Sequence, residues 1–484
     1  MLGLAAILAG VVMLEKPRIG LEISHDVVDQ TPVTLMQRGD AAGPVVIIAH
    51  GFAGSRQLMS AYQIGLARAG YITVSFDFEG HGRHSQPLRG DVNSLDGTTR
   101  LLMDQTARVT DWAVSLPRAD GRVALLGHSM ASDIVVRQGI ADTRVETIVG
   151  ISLFSQAVTE DAPQSLLIIN GQWEGSLRTE ARRIMAEAGV IEGITVGDPA
   201  TAFARRAAVA PMAEHVGVLY SPTGIAEARN WLDRSFAING PDAPAVALGG
   251  WIALALVGVV LFALPMAQVL PQGQAAPDLP ARVFWILALV PAGLTPLILL
   301  GVNLQFLPVL VADYLALHLG VYGAFVLFGL LMAGAFPERR GILAGLLLAL
   351  FGLALFGGIL DRYVASFWPS GQRWLVLAAI LPGAVLAMLA DAALLQGGAA
   401  HWVRRFGLRL AFLASLGVAV ALDFERLMFL LIILPVIVLF YLTFGIMGSF
   451  VGRRTGAPMA MGLGLGVILA WALAATFPLF QGTL

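Results

Sequence analysis

The sequence contains no cysteine and few charged residues. Of its 484 residues, 13% are charged and 57% are hydrophobic, whereas soluble globular chains average about 25% charged and about 45–50% apolar residues. The missing cysteine excludes thiolate catalysis, cysteine-built zinc sites and a disulfide-stapled secreted scaffold. The shortage of charge excludes a wholly soluble or disordered chain. The formal net charge of −2 gives no basic field, so we expect no nucleic-acid partner.

The charges that are present are concentrated in the first half of the chain. Residues 1–242 carry 46 Asp, Glu, Lys and Arg residues, and residues 243–484 carry 18. The change falls at residues 239–245, where asparagine, glycine and proline are typical of a turn or linker. We therefore predict four segments: an N-terminal anchor (1–18), a globular domain (19–238), a linker (239–245) and a membrane domain (246–484).

The second half consists of repeated apolar runs. A helix needs roughly 20 mainly apolar residues to cross a hydrocarbon layer of ~30 Å. Eight windows meet this requirement, near residues 246–266, 283–302, 314–335, 342–360, 374–396, 405–422, 427–450 and 458–480. A soluble core does not explain them, because they have almost no polar face. We predict an all-α transmembrane bundle of about eight helices, and hence a multi-pass integral protein of the lipid bilayer.

Arginine in the connections between these windows predicts the orientation. One set of alternate connections carries eight arginines: Arg282, Arg339, Arg340, Arg404, Arg405, Arg409, Arg453 and Arg454. The other set carries three: Arg362, Arg373 and Arg426. Because cytoplasmic connections are enriched in Lys and Arg, we expect the side with eight arginines to be cytoplasmic. This places the globular domain on the extracytoplasmic side.

The first residues of the sequence form a short apolar run. Residues 2–14 are too few to span a bilayer comfortably, and they have neither a basic start nor a signal-peptide cleavage site. We interpret the run as an uncleaved anchor helix. An anchor that begins inside would deliver the next domain outside, in agreement with the arginine count.

Ionisable residues inside the windows would indicate a transport pathway. Asp391 is the acid that could lie within a helix, where ionisable groups are costly and often functional, although a position at the helix end is the simpler interpretation. We find no relay of Asp, Glu and His and no inverted repeat.

The globular half alternates β-rich runs with helical patterns. This alternation predicts an α/β fold with a doubly wound, mostly parallel sheet and helices on both faces. The predicted strands cover residues 44–50, 71–78, 122–127, 146–153, 164–170 and 205–212. The predicted helices cover residues 55–69, 94–116 and 132–140, and the last one begins near 221–222.

Distinctive segments follow the first three strands. They are His50-Gly51-Phe52-Ala53-Gly54-Ser55, Asp77-Phe78-Glu79-Gly80-His81-Gly82-Arg83 and Gly127-His128-Ser129-Met130-Ala131. A serine between small residues at a strand-to-helix turn can adopt the strained geometry that exposes its hydroxyl group. Together the three segments resemble the α/β-hydrolase superfamily, over about residues 19–238.

This resemblance implies a nucleophile, an acid and a histidine in that chain order. Ser129 is the expected nucleophile. Glu174 follows the strand 164–170 and takes the place of the family's acid, and His215 follows the last strand. Backbone N–H groups of Phe52 and Met130 are the expected oxyanion donors. The implied chemistry, nucleophilic acyl transfer through an acyl-enzyme, requires neither a cofactor nor a metal ion.

The sequence also offers an alternative acid and candidates for the substrate pocket. Asp161 or another acid is the alternative to Glu174, and Trp173 and His128 are candidate substrate-pocket residues. The short connection near residues 155–164 leaves no room for a large cap domain, so residues 185–203 are the expected flexible cover of an open site.

An open site is compatible with acyl esters, either small or lipid-like, and equally with peptides. We expect an acyl ester only because ester hydrolysis is the more common activity. A membrane-tethered serine peptidase or amidase is the first alternative. A transporter-like membrane protein with a non-catalytic hydrolase-fold domain is the second. The sequence leaves the oligomeric state open.

Overall fold

The computed structural model describes residues 1–91, 94–201, 203–238 and 246–481, so the predicted linker 239–245 lies outside the described residues. The chain divides into two compact units. The sheet unit comprises Ala9–Ala253, Asp361–Ser366 and Pro478–Leu484. The helical unit comprises Met1–Leu8, Leu254–Leu360 and Phe367–Phe477.

The described part of the sheet unit contains one nine-stranded sheet. Its strands are β1 (Leu21–Val28), β2 (Thr31–Arg38), β3 (Gly43–Ala49), β4 (Ile72–Phe76), β5 (Ala119–His128), β6 (Val145–Ile151), β7 (Ser165–Gly171), β8 (Thr195–Gly197) and β9 (Ala204–Ala210). Their order across the sheet is β1-β2-β4-β3-β5-β6-β7-β9-β8. The six strands from β4 to β9 in that order are parallel, whereas β1, β2 and β8 pair antiparallel.

The middle of the sheet is covered on both faces. Every residue of β4 and β7 is buried, although successive side chains of a strand point to opposite faces. The α-helices are α1 (Leu2–Glu15), α2 (Ser60–Arg68), α3 (Arg100–Val114), α4 (Met130–Ala141), α5 (Gly175–Glu187) and α6 (Pro222–Ser235). The start of α6 is fixed locally, because Ser221 Oγ accepts a hydrogen bond from the Gly224 N–H group at 3.3 Å and Pro222 occupies the first turn. The predicted α/β fold is confirmed.

Two edges of the sheet differ from the prediction. The hairpin β1–β2 was not expected, and β8 lies inside residues 185–203, which were expected to form a flexible cover. At β8, three residues pair with β9, from Thr195 opposite Arg206 to Gly197 opposite Ala204. The edge strands β1 and β8 are partly or mostly exposed, so they lack the continuous apolar runs that mark the central strands. The described connection from β6 to β7 contains no helix, as expected for a domain without a large cap.

Eight described helices are long and apolar enough to cross a membrane, as predicted. We number them as spans 1 to 8: Gly249–Gln268, Ala281–Ile298, Ala312–Met332, Ile342–Tyr363, Arg373–Leu394, Trp402–Leu422, Leu430–Thr455 and Pro458–Thr476. A short helix, Phe424–Leu427, precedes span 7. The helix α1 has 14 residues, and Gly3 in its first turn packs directly on span 1 at Phe262.

Glycines allow span 5 to approach its neighbours closely. A Cβ atom at Gly383 would lie 2.4 Å from the carbonyl oxygen of Ala316 in span 3. One at Gly466 of span 8 would lie 2.6 Å from Cα of Val385. Small residues drive helix association in lipid, where van der Waals packing replaces the hydrophobic effect. Gly383 and Gly466 therefore serve close packing between spans.

Asp391 lies in the last turn of span 5 and is buried. Its carboxylate lies 3.8 Å from Nε of Arg409 in span 6. The Arg409 guanidinium group also lies over the Tyr441 ring, 4.4 Å from the ring centroid. An ion pair with a cation–π contact is a structural way to hold a charge inside a bundle.

Two later segments of the chain return to the sheet unit. The Ser366 N–H group donates to Ser55 Oγ at 3.1 Å, and the Leu88 N–H group donates to the Leu479 carbonyl at 2.8 Å. Ser366 follows span 4 and Leu479 follows span 8. Four spans therefore lie between the globular domain and Ser366, and eight lie between it and Leu479. Both numbers are even, which agrees with a total of eight spans.

Candidate active site

Ser129 lies at the sharp turn between β5 and α4. Its backbone has φ 54° and ψ −119°, a conformation that non-glycine residues rarely adopt. The turn is held by a 2.9 Å hydrogen bond from the Ser129 N–H group to the Ile151 carbonyl of β6. Gly127 is required here, because a Cβ atom would lie 2.5 Å from the carbonyl oxygen of Ala131. This is the geometry of a nucleophile elbow.

A continuous chain of hydrogen bonds joins Ser129, His215 and Glu174. His215 Nε2 lies 2.9 Å from Ser129 Oγ, and His215 Nδ1 lies 2.6 Å from Glu174 Oε1. A carboxylate only accepts, so Nδ1 carries the proton and Nε2 is left to accept from the serine hydroxyl. Glu174 follows β7 and His215 follows β9, and the carboxyl ends of parallel strands meet at one edge of the sheet.

The Glu174 carboxylate is buried and has further partners. Its Oε2 atom accepts from Ser152 Oγ at 3.0 Å and from the Gly171 N–H group at 2.5 Å. Burial, the largest influence, acts to raise the pKa of Glu174, but the hydrogen bonds from His215, Gly171 and Ser152 outweigh it, so the pKa lies below its ordinary value. Glu174 is therefore ionised at neutral pH.

Sequence reasoning missed Ser152, although it directly follows β6 and so belongs to the strand ends that carry the site. Asp161, the alternative acid, is exposed in the β6–β7 connection. Among the described residues, no hydrogen bond joins Asp161 to His215, and Glu174 occupies the position beside the imidazole.

The loop after β3 passes directly beside Ser129. A Cβ atom on Gly51 would lie only 3.0 Å from Ser129 Cβ. The buried His50 fixes this loop: its Nδ1 atom lies 2.8 Å from the Gly51 carbonyl, and its Nε2 atom accepts from the Phe78 N–H group at 3.1 Å. Phe52 follows Gly51 and Met130 follows Ser129, so the two expected oxyanion donors belong to the backbone next to the nucleophile.

Asp77 organises the segment that follows β4. The carboxylate is fully buried, lies 2.6 Å from the Arg56 guanidinium group and accepts from the Arg83 N–H group at 3.0 Å. A Cβ atom at Gly82 would lie 2.3 Å from the carboxyl carbon of Asp77, so this glycine makes room for the ion pair. The segment thus supports the site structurally.

His128 is buried next to His215. This differs from the prediction that His128 is exposed in a substrate pocket. Its Nε2–H group donates to the His215 carbonyl at 2.9 Å. Burial, followed by the neighbouring His215, lowers the pKa of His128 to about 4, so this ring is neutral at neutral pH. His128 therefore positions the loop that carries His215.

Trp173 directly precedes Glu174 in the chain and is 65% exposed. Three further large apolar side chains are exposed on the loops that carry the site: Phe154, Met212 and Val216. We call these four residues the apolar rim. The loops of Trp173 and Met212 are tied together, since the Trp173 N–H group donates to the Ala213 carbonyl at 3.0 Å. The loop of Phe154 is tied to α4, since the Phe154 N–H group donates to Ser132 Oγ at 3.2 Å.

The described residues contain no group of three or more His, Asp and Glu side chains placed to hold a metal ion. The chemistry available at this site is that of the serine, the imidazole and the carboxylate.

The N-terminal part of the chain is similar to known proteins. The family model described as serine aminopeptidase, S33, matches residues 40–190. No curated protein sequence matches the chain.

Among solved structures, the chain is similar to a protein of unknown function from Agrobacterium tumefaciens (18% identity, 46% of this chain, 100% of that chain, TM-score 0.35). It is also similar to a dienelactone hydrolase from Anabaena variabilis (15% identity, 46% of this chain, 100% of that chain, TM-score 0.32). A third similar structure is an epoxide hydrolase from Vigna radiata (20% identity, 28% of this chain, TM-score 0.22), of which the chain spans only 39%.

The fold and the family match identify the N-terminal part of the chain as an α/β-hydrolase domain. The family match supports a hydrolase. Eight described helices in the C-terminal part are long and apolar enough to span a membrane, which supports a multi-pass membrane protein.

Proposed function

We propose that the protein is a membrane-bound serine hydrolase that cleaves carboxylic esters with apolar acyl groups. The observation that carries this proposal is the unbroken hydrogen-bonded chain from Ser129 Oγ through His215 to Glu174. Acyl transfer by a serine needs a base on its hydroxyl and a carboxylate behind that base, and both are in place.

The reaction follows from the geometry. Ser129 Oγ attacks the ester carbonyl while His215 Nε2 takes the hydroxyl proton, and Glu174 stabilises the imidazolium ion. The N–H groups of Phe52 and Met130 bind the oxyanion, at about 3 kcal/mol for each donor. The carbon–oxygen bond to the leaving group then breaks, and His215 returns the proton to the departing alcohol. Water, activated by His215, hydrolyses the acyl-enzyme and regenerates Ser129.

The apolar rim supports an apolar acyl group. Phe154, Trp173 and Met212 are 56%, 65% and 77% exposed. Burying such surface against an acyl chain is favourable by roughly 25 cal/mol per Å². An ester with a medium or long acyl chain, whether a small molecule or a lipid-like one, uses this rim, whereas an acetyl ester leaves it exposed.

A serine peptidase or amidase is the second candidate function. The family model that matches residues 40–190 is described as a serine aminopeptidase, and this favours amide chemistry. The same three residues would serve, with His215 protonating a departing amine. A non-catalytic domain on a transporter-like protein is disfavoured, because a binding module has no need for the intact chain of hydrogen bonds.

We further propose that the hydrolase domain lies on the extracytoplasmic side. The distribution of arginine supports this orientation, with eight on one set of connections and three on the other.

Labelling by a fluorophosphonate probe tests the enzyme proposal. We expect the full-length protein to be labelled and the Ser129→Ala variant to be unlabelled, because the probe reacts only with an activated serine. The exposed Ser115 provides a matched control, since Ser115→Ala leaves the site intact. A folded wild-type protein that does not react would refute the proposal.

A panel of esters and aminoacyl amides tests the substrate class. We expect kcat/KM to rise with acyl-chain length among p-nitrophenyl esters and to exceed that for aminoacyl p-nitroanilides. Trp173→Ala should lower kcat/KM for long acyl chains more than for acetate. Faster cleavage of the amides would instead establish the peptidase alternative.

A further inference from the structure

A polar cavity lies in the sheet unit, and none of the residues that line it belongs to the hydrogen-bonded chain of Ser129, His215 and Glu174. The cavity has a volume of about 220 Å³. Four arginines line it, Arg18, Arg56, Arg83 and Arg362, together with a single carboxylate, that of Asp361.

The arginines are not fully neutralised by carboxylates. Three are paired: Arg56 with Asp77 at 2.6 Å, Arg83 with Asp361 at 2.6 Å and Arg362 with Glu15 at 2.9 Å. Arg18 makes no ion pair within 4.0 Å among the described residues, and its Nε atom is buried without a hydrogen-bond partner. The cavity therefore keeps a surplus positive charge and a buried donor that is not used.

His25 reports the same positive environment. It lines the cavity, and its Nδ1 atom lies 3.0 Å from Thr34 Oγ1. Burial, followed by the charges of the four arginines, lowers the pKa of His25. The cavity thus disfavours an added positive charge, and the same field attracts an anion.

We propose that this cavity binds a phosphate group, either that of a phospholipid headgroup or that of free phosphate. The planar guanidinium group presents paired N–H donors that match two phosphate oxygens, and arginine is the usual residue for this recognition. A phosphate at Arg18 would satisfy the unused Nε–H group and offset the surplus charge. The 220 Å³ volume accommodates a group of this size.

The position of two arginines along the chain favours the lipid source. Arg18 follows the apolar helix α1, and Arg362 lies in the last turn of span 4. Charged residues that end apolar helices lie at the level of the lipid headgroups in a bilayer. A headgroup phosphate is therefore available at this cavity without diffusion from bulk water.

Arg18→Gln is the informative variant. Removing Arg18 leaves no carboxylate unpaired, whereas removing Arg56 would leave the buried Asp77 without its partner. Lys16→Gln is the matched control, because Lys16 lies two residues away, is exposed and does not line the cavity. Arg83→Gln, which removes a half-exposed side chain, is a second variant should Arg18→Gln fail to fold.

The experiment uses the full-length protein in an uncharged detergent, in a Ser129→Ala background so that no lipid ester is cleaved. One arm titrates inorganic phosphate against chloride at equal ionic strength and follows the melting temperature. The other arm uses native mass spectrometry to compare phosphatidylglycerol with a diacylglycerol of the same acyl chains. A single cooperative thermal transition and a monodisperse size-exclusion profile check that the Arg18→Gln variant is folded.

We expect phosphatidylglycerol to bind in preference to diacylglycerol, with at least tenfold weaker binding after Arg18→Gln and unchanged binding after Lys16→Gln. The same pattern with inorganic phosphate alone would support the free-phosphate source. Equal binding by the Arg18→Gln variant and its parent in both arms, or no binding in either arm, would overturn the proposal. Because the parent lacks Ser129, these outcomes do not depend on the proposed hydrolase activity.

Discussion

His128 and His215 lie with ring centroids 5.0 Å apart, and their surroundings give them different tasks. The His215 side chain is half exposed and joins Ser129 to Glu174, which suits its proposed role as the base. His128 is buried and neutral, and it donates to the backbone of His215. Sequence alone does not separate two such histidines, because the difference lies in burial.

The carboxylate of Glu174 can be tested by an amide replacement. Glu174→Gln removes the charge that stabilises the imidazolium ion and permits the wrong tautomer of His215, so we expect kcat to fall by roughly 10³–10⁴-fold. Glu174→Asp keeps the charge and should retain more activity. Ester hydrolysis under saturating substrate provides the measurement, and a loss of less than tenfold in Glu174→Gln would assign the acid's role elsewhere.

His128 should make the hydrolase domain sensitive to acid. Its pKa is about 4 in the folded protein against an ordinary value of 6.5, so the unfolded chain takes up the proton first as the pH falls. The neutral His128 therefore contributes about 3 kcal/mol to the free energy of unfolding. This contribution is complete above pH 6.5 and is lost as the pH falls towards 4.

His128→Gln keeps a side-chain amide that can donate to the His215 carbonyl, and it removes this titration. We expect the melting temperature of the wild type to fall more steeply between pH 6.5 and pH 4 than that of His128→Gln. Parallel profiles for the two proteins would contradict this assignment.

At the scale of elements, the turn from β5 into α4 stores backbone strain. Ser129 has φ 54° and ψ −119°, and such conformations cost on the order of 1–3 kcal/mol for a residue with a side chain. The strain is maintained because the Ile151 carbonyl and the surrounding buried strands hold the turn.

Replacing Ser129 with glycine should release part of this strain. Both Ser129→Gly and Ser129→Ala lack the nucleophile, but only alanine keeps the Cβ atom. Allowing for the larger entropy of glycine in the unfolded chain, we expect Ser129→Gly to be more stable than Ser129→Ala by about 1 kcal/mol. Thermal unfolding monitored in the hydrolase domain should show a melting point about 2–4 °C higher, and a lower one would argue against a strained turn.

The elements that could be predicted are those with a strong local signal. The central strands are continuous apolar runs, and each of the eight spans is a long apolar helix. The hairpin β1–β2 could not be predicted this way, because β1 is mostly exposed and gains its structure by pairing with β2. The same holds for β8, three residues that are defined by their partner β9.

At the scale of the whole molecule, the absence of cysteine permits a direct test of orientation. Every single-cysteine variant of this chain carries one thiol, and the wild type, which has none, is the unlabelled control. Glu160→Cys introduces an exposed thiol in the hydrolase domain, and Arg339→Cys introduces one between spans 3 and 4.

We expect a membrane-impermeant maleimide to label Glu160→Cys on intact cells and to label Arg339→Cys only after permeabilisation, because the arginine-rich connections are predicted to be cytoplasmic. The reverse pattern would invert the proposed orientation. Labelling of both sites on intact cells would contradict the proposed count of spans between them.

The sequence by itself determined the two-part organisation, the α/β fold and the eight apolar helices. These follow from hydrophobic pattern and length, which are local properties of a chain. It also predicted Ser129, Glu174 and His215 after three strands of the parallel sheet, whose carboxyl ends meet at one edge.

Only the tertiary structure decided which side chains meet. It brought Glu174, rather than Asp161, beside His215 and placed His128 behind that ring. It also gathered Arg18, Arg56 and Arg362 around one cavity. Contacts between residues so far apart in the chain depend on how the elements pack, and no local pattern in the sequence encodes them.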